Sequence, residues 1–547
     1  PAFVAFQQRA AAAGSSVAVK ALVPAPVDAR PWAKAALALG PLALPVSYDL
    51  RTTGKLTAVR DQGSLDNCWS FASLASLESY LLPNDPENFS EDNLAMAAGH
   101  DFDYGVYNGG NFYMATAELA RWNGPVDETS DAYGDGKFVS GLSPIEHVQN
   151  VLFLPDRTGP TDNDTIKWAV ETYGAVYASS YADSGMSDSV DTAYYNATTH
   201  SYYYDGSQAA DHAIDIVGWD DDYPAADFTS DGITHQPPDS GAFIVRNSWG
   251  PGWGDGGYFY VSYDDVVIGK GMAVFQGEPV DDYAQNFGYD TLGFTDEYGF
   301  GSPTAWMAAA FTPRGDSFLE AAAFYAQSPN TAYDIYLGSN LDDHSTWSEL
   351  ASGSVSVPGY HTIAFATQPQ VAAGVRFYVI VELTTPTTDY PIPVEDVQPG
   401  YSSKAVAAAG ESYLSADGSA GDWTDCGVQN KAEVCLKAFA GAATPDPIAP
   451  VTKALAAVKV KRGRYATLRY RVNDATAHDR EKVSIKIRNR AGRVVKTLAL
   501  GWRAPNVALS VRYRCRLARG VYRYCVYATD FWGNPQRSVG HAKLTVK

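Results

Sequence analysis

The sequence predicts a mixed α+β domain followed by two β-sandwich domains. Its 547 residues correspond to two to four domains at about 100–200 residues each. Apolar residues at helical spacing occur in the first half of the chain, whereas short alternating apolar segments fill the second half. The 35 Tyr residues and the frequent Gly and Pro also favour β-rich, loop-rich architecture.

The charge of the chain is divided unevenly. The net charge is −21, yet residues 450–547 contain 23 Lys and Arg against 4 Asp and Glu. Such asymmetry marks a domain boundary and suggests separate partners for the two parts. No uninterrupted apolar stretch approaches the roughly 18–20 residues that cross a bilayer, so we expect no membrane span.

The N-terminal half contains the helical segments. Residues 1–44 are rich in Ala, Pro and Val and are interpreted as a tether or short pro-segment; because the first residue is Pro, we expect that a preceding segment was removed or not included. Within 45–278, helices are expected over Cys68–Leu82 and Asp164–Thr172. Strands are expected over Ala213–Trp219, Ala242–Trp249 and Gly257–Tyr263.

The remainder of the chain is predicted to be all-β. Residues 281–440 contain no helix of useful length, which predicts a β-sandwich with strands over Phe318–Ala326, Ala332–Ser339, Gly359–Ala366 and Val375–Leu383. Residues 441–452 are a Pro-rich linker. Residues 453–547 predict a small immunoglobulin-like sandwich with strands over Tyr465–Val472, Lys482–Asn489, Ala508–Cys515 and Gly520–Asp530.

The five cysteines indicate which thiol is free and whether the chain could contain disulfides. An odd count leaves at least one thiol outside any intramolecular bridge, and Cys68 is far from the others in sequence. Cys426 with Cys435, and Cys515 with Cys525, form close pairs that hint at an oxidising compartment. The sequence does not decide whether these pairs form disulfides. Cys515 and Cys525 flank a predicted turn, but the alternation places their side chains on opposite strand faces.

Four short motifs contain the chemically useful residues. They are QGSLDNCW (Gln62–Trp69), NGG (Asn108–Gly110), DHA (Asp211–Ala213) and NSWGPGWG (Asn247–Gly254). Each has a structural explanation alone, since an isolated Cys is usually a small buried hydrophobe and Asn-Gly-Gly is usually a turn. Together they indicate a Cys–His–Asn arrangement, with His212 lying 144 residues after Cys68 and Asn247 a further 35.

On these motifs, residues 47–275 resemble the papain family of cysteine peptidases. The resemblance implies a two-lobed papain-like α+β domain in which Cys68 is the nucleophile, His212 its base and Asn247 the residue that orients His212. It also implies that Gln62 and the Cys68 backbone N–H bind the oxyanion. A helix N-terminus and an imidazolium would stabilise the thiolate, so we expect a bell-shaped pH dependence of kcat/KM.

The resemblance also implies a substrate-binding set. Gly109 and Gly110 would pair with the main chain of an extended peptide. Phe112 and Ala210 would line the pocket for the side chain two residues before the cut. Trp249, together with the second Trp of its motif, would shield the His–Asn hydrogen bond from water.

Two features depart from the family pattern. The family usually has Cys-Gly-Ser before the nucleophile, where this chain has Leu65-Asp66-Asn67. A carboxylate at Asp66 would favour basic substrate residues, or would raise the pKa of Cys68 and slow acylation. The long inhibitory propeptide of the family is also absent, so we do not expect inhibition by a folded pro-domain.

Partners and location follow from the other domains. Residues 281–440 resemble the lectin-like domain of some bacterial and archaeal members, and 453–547 resemble immunoglobulin-like modules of bacterial surface proteins. We expect a secreted or cell-surface peptidase for polypeptides, with no cofactor or metal, attached through these domains to an anionic cell-wall polymer or glycan. Nucleic acid is not expected. An acidic group (Asp220, Asp221, Asp222 and Asp231) is interpreted as a solvated loop rather than a Ca²⁺ site, because its spacing fits no loop motif.

Basic residues form two alternating rows in the last domain. Arg512, Arg514 and Arg516 form one row, and Lys486, Arg488 and Arg490 form the other. Alternation places each row on one strand face, which predicts a continuous positive surface. Retention at an anionic surface is the favoured role; docking on the acidic part of this chain, and solubilising charge without a partner, are the alternatives.

Two other functions remain open at this stage. The chain could be a catalytically impaired papain-like binding protein of the cell surface, which Asp66 alone supports. It could also be an acyl-transferring enzyme or cell-wall endopeptidase that uses the same thiol chemistry.

Overall fold

The computed structural model describes residues 3–7, 22–27, 43–101, 109–134, 137–183, 185–187, 189–229, 235–442, 449–474, 481–503, 505–529 and 535–547. They form two compact units, the first of Pro1–Glu278 and Gln285–Ala440 and the second of Pro279–Ala284 and Gly441–Lys547. Of the helices described, none is long and apolar enough to cross a membrane. Asn108, Asp231 and residues 443–448 of the linker lie outside the described residues.

The first part of unit 1 contains four helices among the described residues. They are α1 (Cys68–Leu81), α2 (Glu91–Ala97), α3 (Phe112–Ala120) and α4 (Asp164–Tyr173). The predictions of α1 and α4 are confirmed. Twelve of the 14 residues of α1 are buried, because the helix packs against α2 and α3 as well as against the sheet. Its first residue, Cys68, is therefore fixed deep in the domain.

The strands of this part form the sheet against which α1 packs. They are β1 (Ser47–Asp49), β2 (His147–Leu154), β3 (Val176–Ser180), β4 (Tyr195–Asn196), β5 (Ser201–Tyr202), β6 (His212–Asp220), β7 (Ala242–Arg246), β8 (Tyr258–Ser262) and β9 (Lys270–Glu278). The order β2-β9-β3-β6-β7-β8 places β6 between β3 and β7. The three strands predicted for this region are confirmed, and β6 begins at His212.

The second part of unit 1 is a β-sandwich, as predicted. Its elements are β10 (Gln285–Phe287), β11 (Asp296–Tyr298), β12 (Thr304–Phe311), β13 (Ser317–Ala326), β14 (Thr331–Gly338), β15 (Ser348–Val355), β16 (Gly359–Ala364), β17 (Gln370–Val371), β18 (Phe377–Thr384), β19 (Ile392–Glu395), β20 (Ser412–Ser415), β21 (Thr424–Asp425), α5 (Cys426–Gln429), β22 (Glu433–Val434) and β23 (Leu436–Ala442). A six-stranded sheet, β15-β14-β18-β12-β20-β21, faces β10, β23, β13 and β16 across one core that includes Met307, Phe324 and Val381.

The sheets of the two parts are continuous. β16 pairs antiparallel with β2, with Gly359 opposite Leu152 and Tyr360 opposite Val151. The result is one 14-stranded sheet within the described residues, which crosses from the sandwich into the first part of the unit. Backbone hydrogen bonds of this kind fix the relative position of the two parts of unit 1.

Unit 2 consists of two packed sheets. Its strands are β24 (Val451–Ala454), β25 (Val458–Val460), β26 (Tyr465–Asn473), β27 (Glu481–Arg488), β28 (Val494–Arg503), β29 (Ala508–Arg514), β30 (Gly520–Thr529) and β31 (Gly540–Val546). The sheets, β24-β26-β29 and β25-β31-β30-β27-β28, share a core that includes Leu468, Ile485 and Val526. β26 alternates strictly between buried and exposed residues, as expected for a strand with one face on a core.

The suggested disulfides are absent, since all five cysteines are free. Cys515 follows β29 and Cys525 lies in β30; these strands belong to different sheets, so no hairpin brings the two thiols together. Cys426 lies in the sandwich core, whereas the Cys435 thiol interacts with the buried Asp290 carboxylate. The cysteines therefore give no support for an oxidising compartment.

Candidate active site

Cys68 occupies the N-terminus of α1 and is fully buried. The Ala213 backbone N–H, at the start of β6, donates to its Sγ over 3.2 Å. Helix and strand thus meet at the thiol. Cys68 and His212 are both described in full, and no hydrogen bond joins the thiol to the imidazole in this structure.

The His212 ring is oriented by Asn247, as the sequence suggests. His212 Nε2 lies 2.8 Å from Asn247 Oδ1. The same Oδ1 accepts from the Ser248 backbone N–H at 2.8 Å, which identifies this atom as the oxygen. Because an amide oxygen only accepts, Nε2 must donate the hydrogen, and a neutral ring then has Nδ1 free to take a proton.

Gln62 is attached to the Asn247 loop. Its backbone N–H donates to the Ser248 carbonyl at 2.7 Å, and the Ser248 hydroxyl donates to Gln62 Oε1 at 2.5 Å. The side-chain amide is thereby oriented with Nε2 on the other side, where it donates to the Leu65 carbonyl at 2.7 Å. One hydrogen of Nε2 remains for another acceptor.

The glycine pair lies beside the nucleophile. Gly109 N donates to the Asp66 carbonyl at 2.9 Å, which ties this segment to the chain just before Cys68. A Cβ on Gly110 would collide with the Trp69 ring, so only glycine allows the backbone this close to α1. Asp66 is half-buried, and burial raises the pKa of its carboxyl group.

A segment of the N-terminal region pairs with this glycine. Leu22 forms a parallel bridge with Gly110, and Val23 N donates to the Gly110 carbonyl at 2.9 Å. The Val23 carbonyl accepts from Asn111 Nδ2 at 2.9 Å, and Val23 is almost fully buried. The chain itself therefore occupies the strip that the sequence assigns to substrate main chain.

The remaining predicted residues are placed as follows. The Trp249 ring stacks on His212 with centroids 5.0 Å apart, and so covers the bond to Asn247. Phe112 is buried at the start of α3, with its ring against Tyr113, Phe153 and Tyr177. Ala210 is partly buried at the edge of the core around β6. The assignment of Phe112 and Ala210 to one pocket stays a prediction.

Two of the four acidic residues, Asp220 and Asp221, form contacts within the protein. Asp221 pairs with Lys167 at 2.5 Å and accepts from the Tyr263 hydroxyl at 2.6 Å. Asp220 accepts from the Asp222 backbone N–H at 3.0 Å. These contacts give the Asp220 and Asp221 carboxylates structural roles.

The electrostatics differ from the ion pair expected from the sequence. Burial raises the pKa of the Cys68 thiol to about 12, with a further contribution from Asp66 and Asp211 that the Ala213 N–H partly offsets. Burial also lowers the pKa of His212, against the hydrogen bond to Asn247. Both shifts favour the neutral forms of the thiol and the imidazole in this closed arrangement.

Three contributors were missed by the sequence reasoning. The Ala213 N–H carries no side-chain signal. The Ser248 hydroxyl could have been noticed, since it follows Asn247 directly. Asn111, which caps α3 through the bond from Met114 N to its Oδ1, follows Gly110 directly and was likewise detectable.

Comparisons with known proteins agree with these features. The family model described as "Papain family cysteine protease" matches residues 44–274, and that of a "Lectin like domain" matches residues 287–440. A "Cysteine protease" of Blomia tropicalis is 23% identical over 243 residues, covering 41% of this chain and 63% of that protein. A "Viral cathepsin" of Heliothis zea nuclear polyhedrosis virus is 28% identical over 224 residues, covering 40% and 52%. The chain thus spans between half and two thirds of the length of these curated relatives.

A solved structure resembles both domains together. It contains the cysteine protease and lectin-like domains of Cwp84, a surface layer associated protein of Clostridium difficile. The TM-score is 0.66 at 22% identity, and the match covers 81% of this chain and 96% of that chain. A second structure of the clostridial cysteine protease Cwp84, determined after propeptide cleavage, gives a TM-score of 0.62 at 23% identity, with 73% and 99% covered. This likeness shows a shared fold.

The neutral thiol leads to a prediction about reactivity. In the intact chain, alkylation of Cys68 by iodoacetamide should be slow and should rise about tenfold per pH unit from about pH 7 to 10, because only the thiolate reacts and its pKa lies above that range. Proteolytic removal of the residues before Ser47 should admit water, lower the thiol pKa and accelerate labelling at neutral pH. Mass spectrometry of the Cys68 peptide measures both rates; fast, pH-independent labelling of the intact chain would contradict the assigned protonation state.

Proposed function

We propose that this chain, in which residues 44–274 are a papain-family cysteine protease domain and residues 287–440 a lectin-like domain, is a secreted or cell-surface peptidase that cleaves polypeptides through a Cys68 thioester. The observation that carries the proposal is the contact of α1 with β6, where the Cys68 thiol meets the backbone of the residue after His212. Asn247 orients His212, and Ser248 orients Gln62 beside them. No observation favours the catalytically impaired alternative.

Acylation uses these groups in order. Cys68 Sγ attacks the carbonyl carbon of the scissile bond, and its proton passes to His212 Nδ1, since Nε2 is held by Asn247. The oxyanion accepts hydrogen bonds from Gln62 Nε2 and the Cys68 N–H. The C–N bond then breaks as the proton on His212 passes to the leaving amine, which departs and leaves a thioester on Cys68.

Deacylation reverses the roles with water. Water gives a proton to His212 as its oxygen attacks the thioester carbonyl, and the same donors hold the second oxyanion. Collapse releases the acid product and the thiolate, which recovers the proton from His212. Trp249 covers the hydrogen bond of the ring throughout, so that the bond is not exchanged for one to water.

The N-terminal region acts as a short pro-segment. Val23 lies in the main-chain strip at Gly110, and Leu22–Val27 blocks the approach of another peptide there. Cleavage beyond this segment would open the cleft. Cwp84, whose second structure was determined after propeptide cleavage, offers a precedent for processing of this kind in a protein of the same fold.

Asp66 is proposed to select basic substrate residues. Its half-buried carboxylate lies two residues before the nucleophile, and among the described residues no cation pairs with it. A Lys or Arg side chain bound next to the scissile bond would supply the missing countercharge. The same cation would offset the influence of Asp66 on the Cys68 thiol.

Attachment is assigned to the other domains, with an anionic cell-wall polymer as partner. Unit 2, which we propose to be immunoglobulin-like, exposes Arg512, Arg514 and Arg516, and Arg512 and Arg514 alternate with inward residues of β29. β26 pairs with β29 and adds Arg469 and Arg471 to the same face. A neutral glycan is the second candidate, on the outer face of the six-stranded lectin-like sheet, where Trp306, Tyr336 and Trp347 cluster. Nucleic acid is not proposed.

The catalytic assignment predicts graded losses. Cys68→Ala should abolish peptide hydrolysis and His212→Ala should be comparably severe, whereas Asn247→Ala should be milder, because it disturbs only the orientation of the ring. Ser248→Ala should lower kcat about tenfold with KM unchanged, since Gln62 loses its orientation toward the oxyanion. Cys525→Ala in unit 2 is the matched control. Steady-state kinetics after removal of the pro-segment measures these values, and normal turnover by Cys68→Ala would reject the mechanism.

The Asp66 proposal predicts a change of preference rather than of overall rate. Asp66→Asn keeps the shape and removes the charge, so kcat/KM should fall about tenfold for peptides with Lys or Arg before the cut and should hold or rise for neutral peptides. Digestion of one peptide library by both enzymes, read by mass spectrometry, gives the two preferences. Equal losses for both substrate classes would show that the carboxylate does not contact substrate.

The attachment proposal predicts salt-dependent retention. The full chain should bind purified bacterial cell walls at low ionic strength and detach as salt rises, because exposed charges are screened beyond about 8–10 Å at physiological salt. The double variant Arg512→Gln, Arg514→Gln should bind more weakly, while Arg512→Lys, Arg514→Lys retains charge and binding. Retention that is insensitive to salt would instead favour the glycan candidate, and absence of binding at low salt would remove both.

A further inference from the structure

Two successive residues, Gly110 and Asn111, bind both main-chain polar groups of one residue, Val23, in the cleft. The Gly110 carbonyl accepts from Val23 N, and Asn111 Nδ2 donates to the Val23 carbonyl, each over 2.9 Å. Both hydrogen bonds go to main chain and none to the Val23 side chain. Any extended peptide in this position presents the same two groups.

The orientation of Asn111 is set from two sides. Its Oδ1 accepts from Met114 N at 3.0 Å as the N-cap of α3, which turns Nδ2 toward the cleft. The Tyr401 hydroxyl lies 3.0 Å from Nδ2 and 3.2 Å from Oδ1. Asn111 and Tyr401 are both buried, so the amide has little freedom to rotate.

Tyr401 belongs to the lectin-like domain, in the loop 398–404. Its N–H and that of Ser402 both donate to the Gln398 carbonyl at 2.9 Å, which closes the loop as a turn. The Asp101 N–H donates to the Tyr401 carbonyl, and Ser403 N donates to the Asp101 carboxylate, again at 2.9 Å each. The loop is therefore hydrogen-bonded to the protease domain directly behind the peptide-binding strip.

We propose that the loop 398–404 is a working part of the peptide-binding cleft, in which Tyr401 positions Asn111 and the Asn111 amide binds a main-chain carbonyl of the peptide. The proposal rests on the proposed peptidase function of the cleft. The pro-segment shows the contact with a peptide of this chain, and a substrate peptide long enough to pass Gly110 uses the same donor. The lectin-like domain thus contributes to affinity for peptides, separately from any attachment role.

The first test does not require catalysis. In the full chain with Cys68→Ala, hydrogen–deuterium exchange reports how tightly Val23 is held. Asn111→Asp keeps the helix-capping oxygen and loses the donor, and Tyr401→Phe loses only the hydroxyl. Each should accelerate exchange at Val23 about three- to tenfold, the effect of one hydrogen bond. The combined variant should exceed Asn111→Asp by little, because Tyr401 acts through Asn111.

The second test separates positioning from stability. After the pro-segment is removed, Tyr401→Phe should raise KM about three- to tenfold for peptides that extend past Gly110, with kcat within about twofold. Single-residue amide substrates, which do not reach Asn111, should be unaffected. Tyr289→Phe is the control, since the Tyr289 hydroxyl donates to the Ala310 carbonyl at 2.6 Å inside the same domain.

The outcomes distinguish this inference from the function it rests on. Unchanged exchange at Val23 in both single variants, or a loss shared equally by long and short substrates, overturns the role of Tyr401 even if the enzyme is active. Accelerated exchange in the Cys68→Ala chains, combined with no peptide hydrolysis by the chain that keeps Cys68 after its pro-segment is removed, supports the cleft assignment and rejects the peptidase function.

Discussion

The pairing of β16 with β2 is the constraint on which the arrangement of unit 1 depends. A Cβ on Gly359 would collide with the Val151 carbonyl oxygen, and its φ of +137° also favours glycine, so the strands meet because this position has no side chain. In the sheet, β2 is followed by β9, β3 and then β6, the strand that begins at His212. One hydrogen-bonded sheet therefore fixes both the start of β6 at His212 and the lectin-like domain, and with it the position of Tyr401.

Within that frame, the site is assembled from short segments that are distant in sequence. α1 brings Cys68 to the edge of β6, and the Asn247 loop is tied to the Gln62 segment by backbone and side-chain bonds. Each functional group is held by a neighbour that performs no chemistry itself. This is the condition for precise placement, because a catalytic geometry is only as rigid as the groups that support it.

Sequence reasoning succeeded where local pattern determined structure. The helix at Cys68, the strand at His212 and the alternation of β26 follow from periodicity, and the Cys–His–Asn order follows from motif spacing. It missed α3, because every residue of that helix is buried and no exposed polar face reveals its period. It suggested a hairpin between Cys515 and Cys525, whereas the chain there passes from β29 in one sheet to β30 in the other. It could not find Tyr401, whose contact with Asn111 spans 290 positions.

The protonation of the site follows from the same packing. The sequence predicts a thiolate–imidazolium pair because a helix N-terminus and a nearby imidazole both favour it. In the folded chain, burial outweighs these effects and raises the pKa of Cys68. On the proposed function, latency would have two components: the segment would block substrate at Gly110, and burial, which raises the pKa of Cys68, would favour the protonated thiol. A single event, departure of Leu22–Val27, would both vacate Gly110 and Asn111 and restore the solvation that the ion pair needs. On the proposed function, the main-chain contacts that would bind substrate are the same contacts that hold Val23, so any residue that strengthens one, Tyr401 included, would strengthen the other.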